Sequence, residues 1–401
     1  MSDDWGRLTA LGGSEAEALA GAAVSAVRAA IAAAIAPRSY EAVVLIGGYG
    51  RGEGGVERTA SGERLHNNLD VLVVTTADAG PDLKALLDRA LAPVRSALGI
   101  GVDVGTIAAR SLRRAPCLVM WLDMRLGHKT LLGDAGLVPS LTRFRHDRLI
   151  AWDVDALVTN RAALLVLNRL LFARGEVDEG ARRTIVKHAQ KAIVGYGDGL
   201  LHALARYDGS YAEKARRVRA SAEIPRGLAK LYEQAIAFRF APDYRAFEER
   251  DLGAWHDDVL GTLRDAHFDY LSRRAGRSVA MRDVVDVVLG RALWDDDRSP
   301  RGLARRALTF ARSRLPTGGL SALSALGLHS GGERALLAVT LPIVLYGEGS
   351  PAERRLAATL LGAGSGAHAL ERAFAKRWSC HGDANGPAAL AAMGLLEAVA
   401  A

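Results

Sequence analysis

Two stretches of this chain hold residue types and spacing suited to phosphate chemistry: Gly47-Gly48-Tyr49-Gly50-Arg51-Gly52-Glu53-Gly54-Gly55 and, downstream, Asn68-Leu69-Asp70. The first holds six glycines in nine residues. Such a backbone is free to adopt positive φ and to approach a ligand closely. Successive N–H groups in a loop of this kind form a concavity for an anion, here a triphosphate. The apolar run Val43-Val44-Leu45-Ile46 ahead of the loop reads as a buried strand, and Val71-Leu72-Val73-Val74 as a second. Asp70 opens that second strand, where a carboxylate can hold the divalent ion that accompanies the phosphates.

Three glycine-loop motifs compete for these residues. A P-loop requires Lys-Ser or Lys-Thr after its last glycine, and Gly55 is followed by Val56-Glu57-Arg58. Gly50, Gly52 and Gly55 satisfy the dinucleotide fingerprint, with Asp70 roughly 20 residues on. That motif opens an apolar-faced helix, whereas Glu57-Arg58-Thr59-Ala60-Ser61-Gly62-Glu63-Arg64 has no apolar stripe. A kinase loop needs a following strand with a lysine, which this stretch does not supply.

The same residues resemble the signature of the DNA-polymerase-β-type nucleotidyltransferase superfamily. Gly47-Gly48 follows an apolar strand, Arg51 and Glu53 lie in the loop, and Asn68-Leu69-Asp70 opens the next strand. The wording Gly-Tyr-Gly-Arg-Gly-Glu is nearest the adenylyltransferase-like bacterial branch; CCA-adding enzymes have an aspartate after the loop arginine. The resemblance covers about the first third of the chain. It implies an α/β nucleotidyltransferase-type domain, a small mixed sheet with helices, followed by an all-helical region. It also implies a third carboxylate on a later strand, which Asp103 in Gly101-Val102-Asp103-Val104-Gly105 matches best.

By the same resemblance Asp70 and Asp103 are the catalytic residues, and Asn68, Asp70 and Asp103 hold Mg²⁺ or Mn²⁺. Gly47, Gly48, Arg51 and Glu53 meet the nucleotide, joined by Lys187 and Lys191 from a helix that contributes a lysine to the triphosphate in related enzymes. The implied activity moves a nucleoside monophosphate from an NTP, ATP first among them, to a hydroxyl with release of pyrophosphate. The acceptor is expected to be a small molecule or a protein rather than a nucleic acid. Asn68 departs from the pattern, because an acid is expected there and an amide brings no charge to a hard cation. The alternative is therefore a catalytically weakened, nucleotide-binding regulatory protein.

The 401 residues exceed what one hydrophobic core supports, so several domains are expected: 1–140, 141–295 and 296–401. A 49% apolar and 24% charged composition is that of a globular protein. Cys117 and Cys380 offer no disulfide framework. Met1-Ser2-Asp3-Asp4-Trp5-Gly6-Arg7 has no signal-type apolar region. Charges are read as interrupting every Ala-rich stretch before membrane-spanning length. A cytoplasmic location without membrane association is the expectation. The net charge of +7 is largely arginine, without a recognisable nucleic-acid module or stacking aromatics.

The elements that must position these residues follow from periodicity. Ser14 with Glu17 has capping-box spacing for a helix to about Ala36. Pro81 to Leu98 reads as a helix with Pro93 as a kink or early end. Met120 to Asp134 resembles the helix and apolar-Gly-Asp turn that close the family's catalytic domain. Helices are expected over Asp153–Phe172 and Asp178–Tyr207, with Lys187 and Lys191 on one face of the latter. Breaks are expected at Arg298-Ser299-Pro300-Arg301 and Leu315-Pro316-Thr317-Gly318-Gly319. The Trp378-Ser379-Cys380-His381-Gly382-Asp383 cluster reads as a packed loop rather than a zinc site, and His66 as a loop histidine near the acids.

Overall fold

Ala42, Val43, Val44 and Leu45 have no polar group to offer water beyond their backbone, and all four are fully buried. In the computed structural model, which describes residues 5–60, 62–293, 300–347, 349–383 and 385–395, they lie in an inner strand of a sheet. The strands are β1 (Tyr40–Ile46), β2 (Val56–Thr59), β3 (Gly62–Leu65), β4 (Leu69–Thr75), β5 (Val102–Ala108) and β6 (Lys129–Gly133). Four of them form one sheet in the order β5-β4-β1-β6, and β2 and β3 form a separate hairpin. β1 runs antiparallel to β4 and to β6, while β4 and β5 are parallel. The sheet is therefore small and mixed. The hairpin occupies the stretch that has no apolar stripe, and cross-strand charge pairing holds it: Arg64 forks onto Glu57 at 3.0 and 2.8 Å. A strand rather than a helix thus follows the glycine loop, which disposes of the dinucleotide fold.

The helices that cover this sheet are α1 (Ser14–Ala34) and α3 (Pro81–Leu98), separated in sequence by the one-turn α2 (Gly47–Gly50). Val24, Val27 and Ile31 of α1 and Leu87 and Leu91 of α3 share a core with Val43, Leu45, Val71, Val73, Val102 and Val104. Alternate strand residues face these helices, as the period of two requires. Asp70 and Asp103 belong to the other parity and face away from them.

Several expectations are corrected here. Ser14 and Glu17 form no capping box: Gly13 is the N-cap and gives no side-chain bond. Glu17 instead accepts from the Leu8 and Thr9 amides, each at 2.9 Å. Burial alone would raise its carboxyl, but the bonds from Thr9 and Leu8 prevail and hold it below the usual range. Pro93 does not end α3, which runs on to Leu98. By length and composition α1 is apolar enough to cross a membrane, so charges do not interrupt every such stretch. Its buried face of Ala20, Val24, Val27 and Ile31 is core in this fold.

After β5 come α4 (Ala109–Leu112), α5 (Val119–Leu126), β6 and α6 (Leu137–Ser140). The compact unit containing the sheet comprises the chain up to Leu149 together with Tyr207–Arg217 and Ile236–Asp243. The second unit comprises Ile150–Arg206, Val218–Ala235 and Tyr244–Ala401. Its described regular elements are helical: α7 (Ala151–Phe172), α8 (Glu179–Ala203), α9 (Tyr211–Ala220) and α10 (Arg226–Phe240), the last two shared with the first unit. There follow α11 (Leu252–Ala275), α12 (Val284–Leu293), α13 (Pro300–Arg312), α14 (Ala322–Tyr346), α15 (Pro351–Leu361), α16 (Ala367–His381) and α17 (Gly386–Ala392). Asp178 caps α8 by accepting from Ala181 N at 2.7 Å, and the helix stops at Ala203, short of Tyr207. The break at Leu315–Gly319 falls between α13 and α14. That at Arg298-Ser299 and the 295/296 boundary lie outside the described residues.

Candidate functional site

Asp70 of β4 is paired in register with Asp103 of β5. Parallel strands in register put paired side chains on one face about 4.8 Å apart, so the two carboxylates are neighbours at one end of the sheet. Asp70 is half-buried and Asp103 exposed. Asn68 precedes Asp70 by two residues and shares its face; its Nδ2 donates to Asp103 Oδ2 at 2.9 Å. The amide thus offers Asp103 a neutral donor. Gly101 is closed against it, since a Cβ there would meet the Asn68 amide at 2.7 Å.

Antiparallel pairing sets Ile46 opposite Asp70, so the chain leaving β1 turns directly over the acid. Gly47 sits at φ +69°, and a Cβ on it would lie 2.2 Å from Asp70 Oδ2. This is the position in the loop where positive φ and close approach to the acid coincide. Positive φ falls on Gly47 and Gly52 and not on Gly48. The second half of the loop is also not an open cradle of amides. Glu53 N donates to Gly48 O at 2.8 Å, Gly52 N to Tyr49 O at 3.2 Å, and Gly54 N to Leu8 O at 3.0 Å. Gly55 N donates to Asn67 Oδ1 at 2.8 Å. The later glycines make room for packing: a Cβ at Gly54 would strike the Tyr49 ring at 2.3 Å.

Arg51 and Glu53 are built into the protein. Arg51 Nε pairs with Glu53 Oε2 at 3.2 Å and Nη1 lies 3.8 Å from Asp123 Oδ2, with the Arg51 side chain only 7% exposed. Its guanidinium stands 4.9 Å from the centre of the Tyr211 ring. Burial would lower its basicity, but Tyr211, Asp123 and Glu53 outweigh that and keep it charged. Glu53 accepts from Ser210 Oγ at 2.6 Å, Tyr211 N at 3.0 Å and Ala212 N at 3.3 Å, satisfying the first amides of α9. Tyr207 OH donates to Asp123 at 3.0 Å and accepts from the fully buried Lys214 at 3.1 Å. The two charged loop residues expected to meet the nucleotide therefore anchor the returning segment Tyr207–Arg217.

Lys187 and Lys191 lie on α8 in the second unit, on either side of His188. Burial first, then these two lysines, pushes the His188 imidazole down to about 3. His66 packs edge-on to Phe238, with ring centres 6.3 Å apart. Trp378 and His381 belong to the end of α16, not to a loop. Trp378 Nε1 donates to Asn160 Oδ1 at 2.7 Å. Among the described residues no group of three or more His, Cys, Asp or Glu could hold a metal ion.

Sequence reasoning assigned no role to Ser210, Tyr211, Lys214 or Arg239. Arg239 Nη2 approaches to 3.5 Å of where a Gly48 Cβ would stand, and its guanidinium lies 4.2 Å from the centre of the Tyr211 ring. No local signal links residues so distant from the loop. Comparison with known family models, with curated proteins and with solved structures returns no match.

Proposed function

We propose that the first unit is a nucleotidyltransferase, transferring a nucleoside monophosphate from an NTP to a hydroxyl and releasing pyrophosphate. The observation that carries this reading is the in-register pair Asp70 and Asp103 beneath the Gly47 turn. Two carboxylates and an amide form a hard oxygen donor set, which fits Mg²⁺ shared with substrate phosphates better than a closed protein cage. Asp70 and Asp103 would hold the ion, which neutralises phosphate charge and lowers the pKa of an acceptor hydroxyl when bound. Gly47, lacking a side chain, lets the triphosphate approach Asp70. Asp103, exposed and oriented by Asn68, accepts the proton of the hydroxyl as its oxygen bonds the α-phosphorus and the α–β bridge breaks. Arg51 and Glu53 hold the turn in place from behind.

The test is pyrophosphate release and thermal shift of the full chain with each NTP, with and without Mg²⁺ or Mn²⁺. Metal-dependent stabilisation by one NTP is expected, about 2.7 kcal/mol at a hundredfold excess over Kd. It should be lost in Asp70→Asn and Asp103→Asn variants that remain folded. Variants that bind Mg²⁺–NTP like wild type would remove the reading. The regulatory alternative draws on the Asn68–Asp103 bond, which satisfies one carboxylate without a cation. Metal-independent NTP binding with no pyrophosphate would decide for it.

A further inference from the structure

Helix α13 is amphipathic and turned with its apolar side outward. Leu303, Leu308 and Phe310 of α13, with Leu323 and Leu326 of α14, are each 43–56% exposed. They are five of the ten large apolar side chains exposed among the described residues, so this exposure is concentrated rather than scattered. At about 100° per residue, Phe310, Leu303, Ala307, Ala311, Ala304 and Leu308 follow one another across an arc of roughly 160°. All six are exposed, whereas an amphipathic helix ordinarily buries such a stripe. The opposite side faces the protein: Gly302 is buried, and Arg305, Arg306 and Thr309 line a cavity of about 830 Å³. Arg274, Arg277, Arg291 and Arg334 line it as well, and Arg305 stands over Trp152, 4.6 Å from the ring centre. Arg305 and Arg306 have partners of their own, and the outward face does not depend on them.

The apolar arc continues onto the neighbouring helix. Phe310 packs edge-on to His329 of α14, with ring centres 5.7 Å apart, and Leu326 lies one turn before His329 on that helix. His329 Nδ1 and Ser313 Oγ are hydrogen-bonded at 2.8 Å, which ties the end of α13 to α14. Cations border this strip. Arg301 and Arg312 are exposed and close the arc on its Leu308 side, and Arg314 is exposed just past the helix end. Arg355 of α15 is exposed one turn before Thr359, whose methyl would lie 3.3 Å from a Cβ on Gly318 in the connection to α14. Among the described residues none of these four arginines has an ion pair. From Pro300 to Gly332 the chain holds no Asp or Glu. A second copy of the chain fits this face poorly, because a two-fold contact sets a patch against itself and would bring its arginines together. An anionic lipid surface fits both parts of it. Leucine and phenylalanine side chains reach the acyl boundary, while the arginines, on long apolar stems, reach headgroup phosphates.

We propose that α13 and the first turns of α14 form a surface that binds anionic lipid, lying in the membrane interface rather than crossing it. This departs from the expectation of no membrane association, and it does not depend on the nucleotidyltransferase reading. The test is co-sedimentation of the full chain with vesicles of equal parts phosphatidylcholine and phosphatidylserine, and with vesicles of phosphatidylcholine alone. Saturable binding to the anionic vesicles is expected, at least about tenfold tighter than to the neutral ones and weakening as salt is raised. Two paired variants, Leu308→Ser with Phe310→Ser and Arg301→Gln with Arg312→Gln, should each lower that affinity at least about tenfold. All four positions are exposed, so the thermal midpoint should stay that of the wild type; Leu323→Ser with Leu326→Ser gives an independent pair on the other helix. Leu19→Ser with Leu86→Ser, exposed positions of the first unit, should leave binding unchanged. Absence of binding to the anionic vesicles would overturn the proposal, as would equal affinity for both kinds. So would affinity unchanged in both the serine and the glutamine pairs, or binding lost in the first-unit control. A dimer seen by equilibrium sedimentation and abolished by Leu308→Ser with Phe310→Ser would assign the face to a second copy instead.

Discussion

Asn68 sets how the paired aspartates behave, because it lends Asp103 a hydrogen bond without lending charge to a cation. Asn68→Asp replaces that donor by a third carboxylate on the same face. Like charges this close repel until a cation joins them, so the apoprotein should lose stability at neutral pH. Mg²⁺ affinity should rise about tenfold, some 1.4 kcal/mol. Calorimetry with Mg²⁺ checks this, and a flat or weaker affinity would sink the assignment of Asn68, Asp70 and Asp103 as a metal site. Arg51 is a contrasting residue. Its side chain is 7% exposed and paired with Glu53 and Asp123, and truncating one member of a buried ion pair costs about 3–5 kcal/mol. Arg51→Ala should therefore lower the unfolding free energy of the first unit, read from urea denaturation, by that much. A fully stable Arg51→Ala protein that has only lost NTP affinity would restore Arg51 to the phosphate site.

At the scale of elements, α11 carries two histidines that its packing keeps neutral. His256 and His267 are 1% and 4% exposed, and burial pushes each imidazole from 6.5 down to about 4. His267 is held there by the Tyr196 hydroxyl at 2.8 Å, itself bonded to Tyr346 at 2.7 Å. Below pH 6.5 the unfolded chain binds protons that the folded helix refuses, so stability falls as pH drops. Each histidine contributes up to about 1.4 kcal/mol per pH unit over that interval. Denaturant unfolding of the second unit between pH 7 and 4.5 should show this slope, and His267→Gln should make it shallower. A slope unchanged by that substitution would mean His267 titrates normally in the fold.

For the whole molecule the consequential feature is that the sheet-bearing unit is discontinuous in sequence. Tyr207–Arg217 and Ile236–Asp243 belong to it. They bring Ser210 and Tyr211 to Glu53 and Arg239 to the glycine turn. A fragment ending at Leu149 keeps every strand but leaves Glu53 and Arg51 without those partners. It should unfold at lower urea than the same unit in the full chain, with early loss of amide protection around Gly47–Gly55. Equal midpoints and equal hydrogen-exchange protection would show that the returning segments are dispensable.

What the sequence by itself determined was local. Apolar runs of strand length placed β1 and β4, and alternation around Asp103 placed β5, because period and burial are short-range properties of a chain. That Asp70 and Asp103 belong together was implied by the family resemblance, and the register that pairs them came from the fold. Helices α3, α7 and α8 followed from their apolar spacing in the same way. The roles of Arg51 and Glu53 were not legible, because a charged residue in a glycine loop reads alike whether it meets a ligand or the protein. Only the tertiary structure decided this, by returning Ser210 to Glu53 across 157 residues of sequence. The hairpin of β2 and β3 was missed because its charge pairs lie between strands, a contact that periodicity along one strand does not encode. The arginine-lined cavity was missed for a related reason: α7, α11, α12, α13 and α14 each contribute to it, and no segment alone carries its shape or charge. Periodicity says that a helix has two faces; which face meets solvent, as the outward apolar side of α13 demonstrates, is settled by the partners that the rest of the chain supplies.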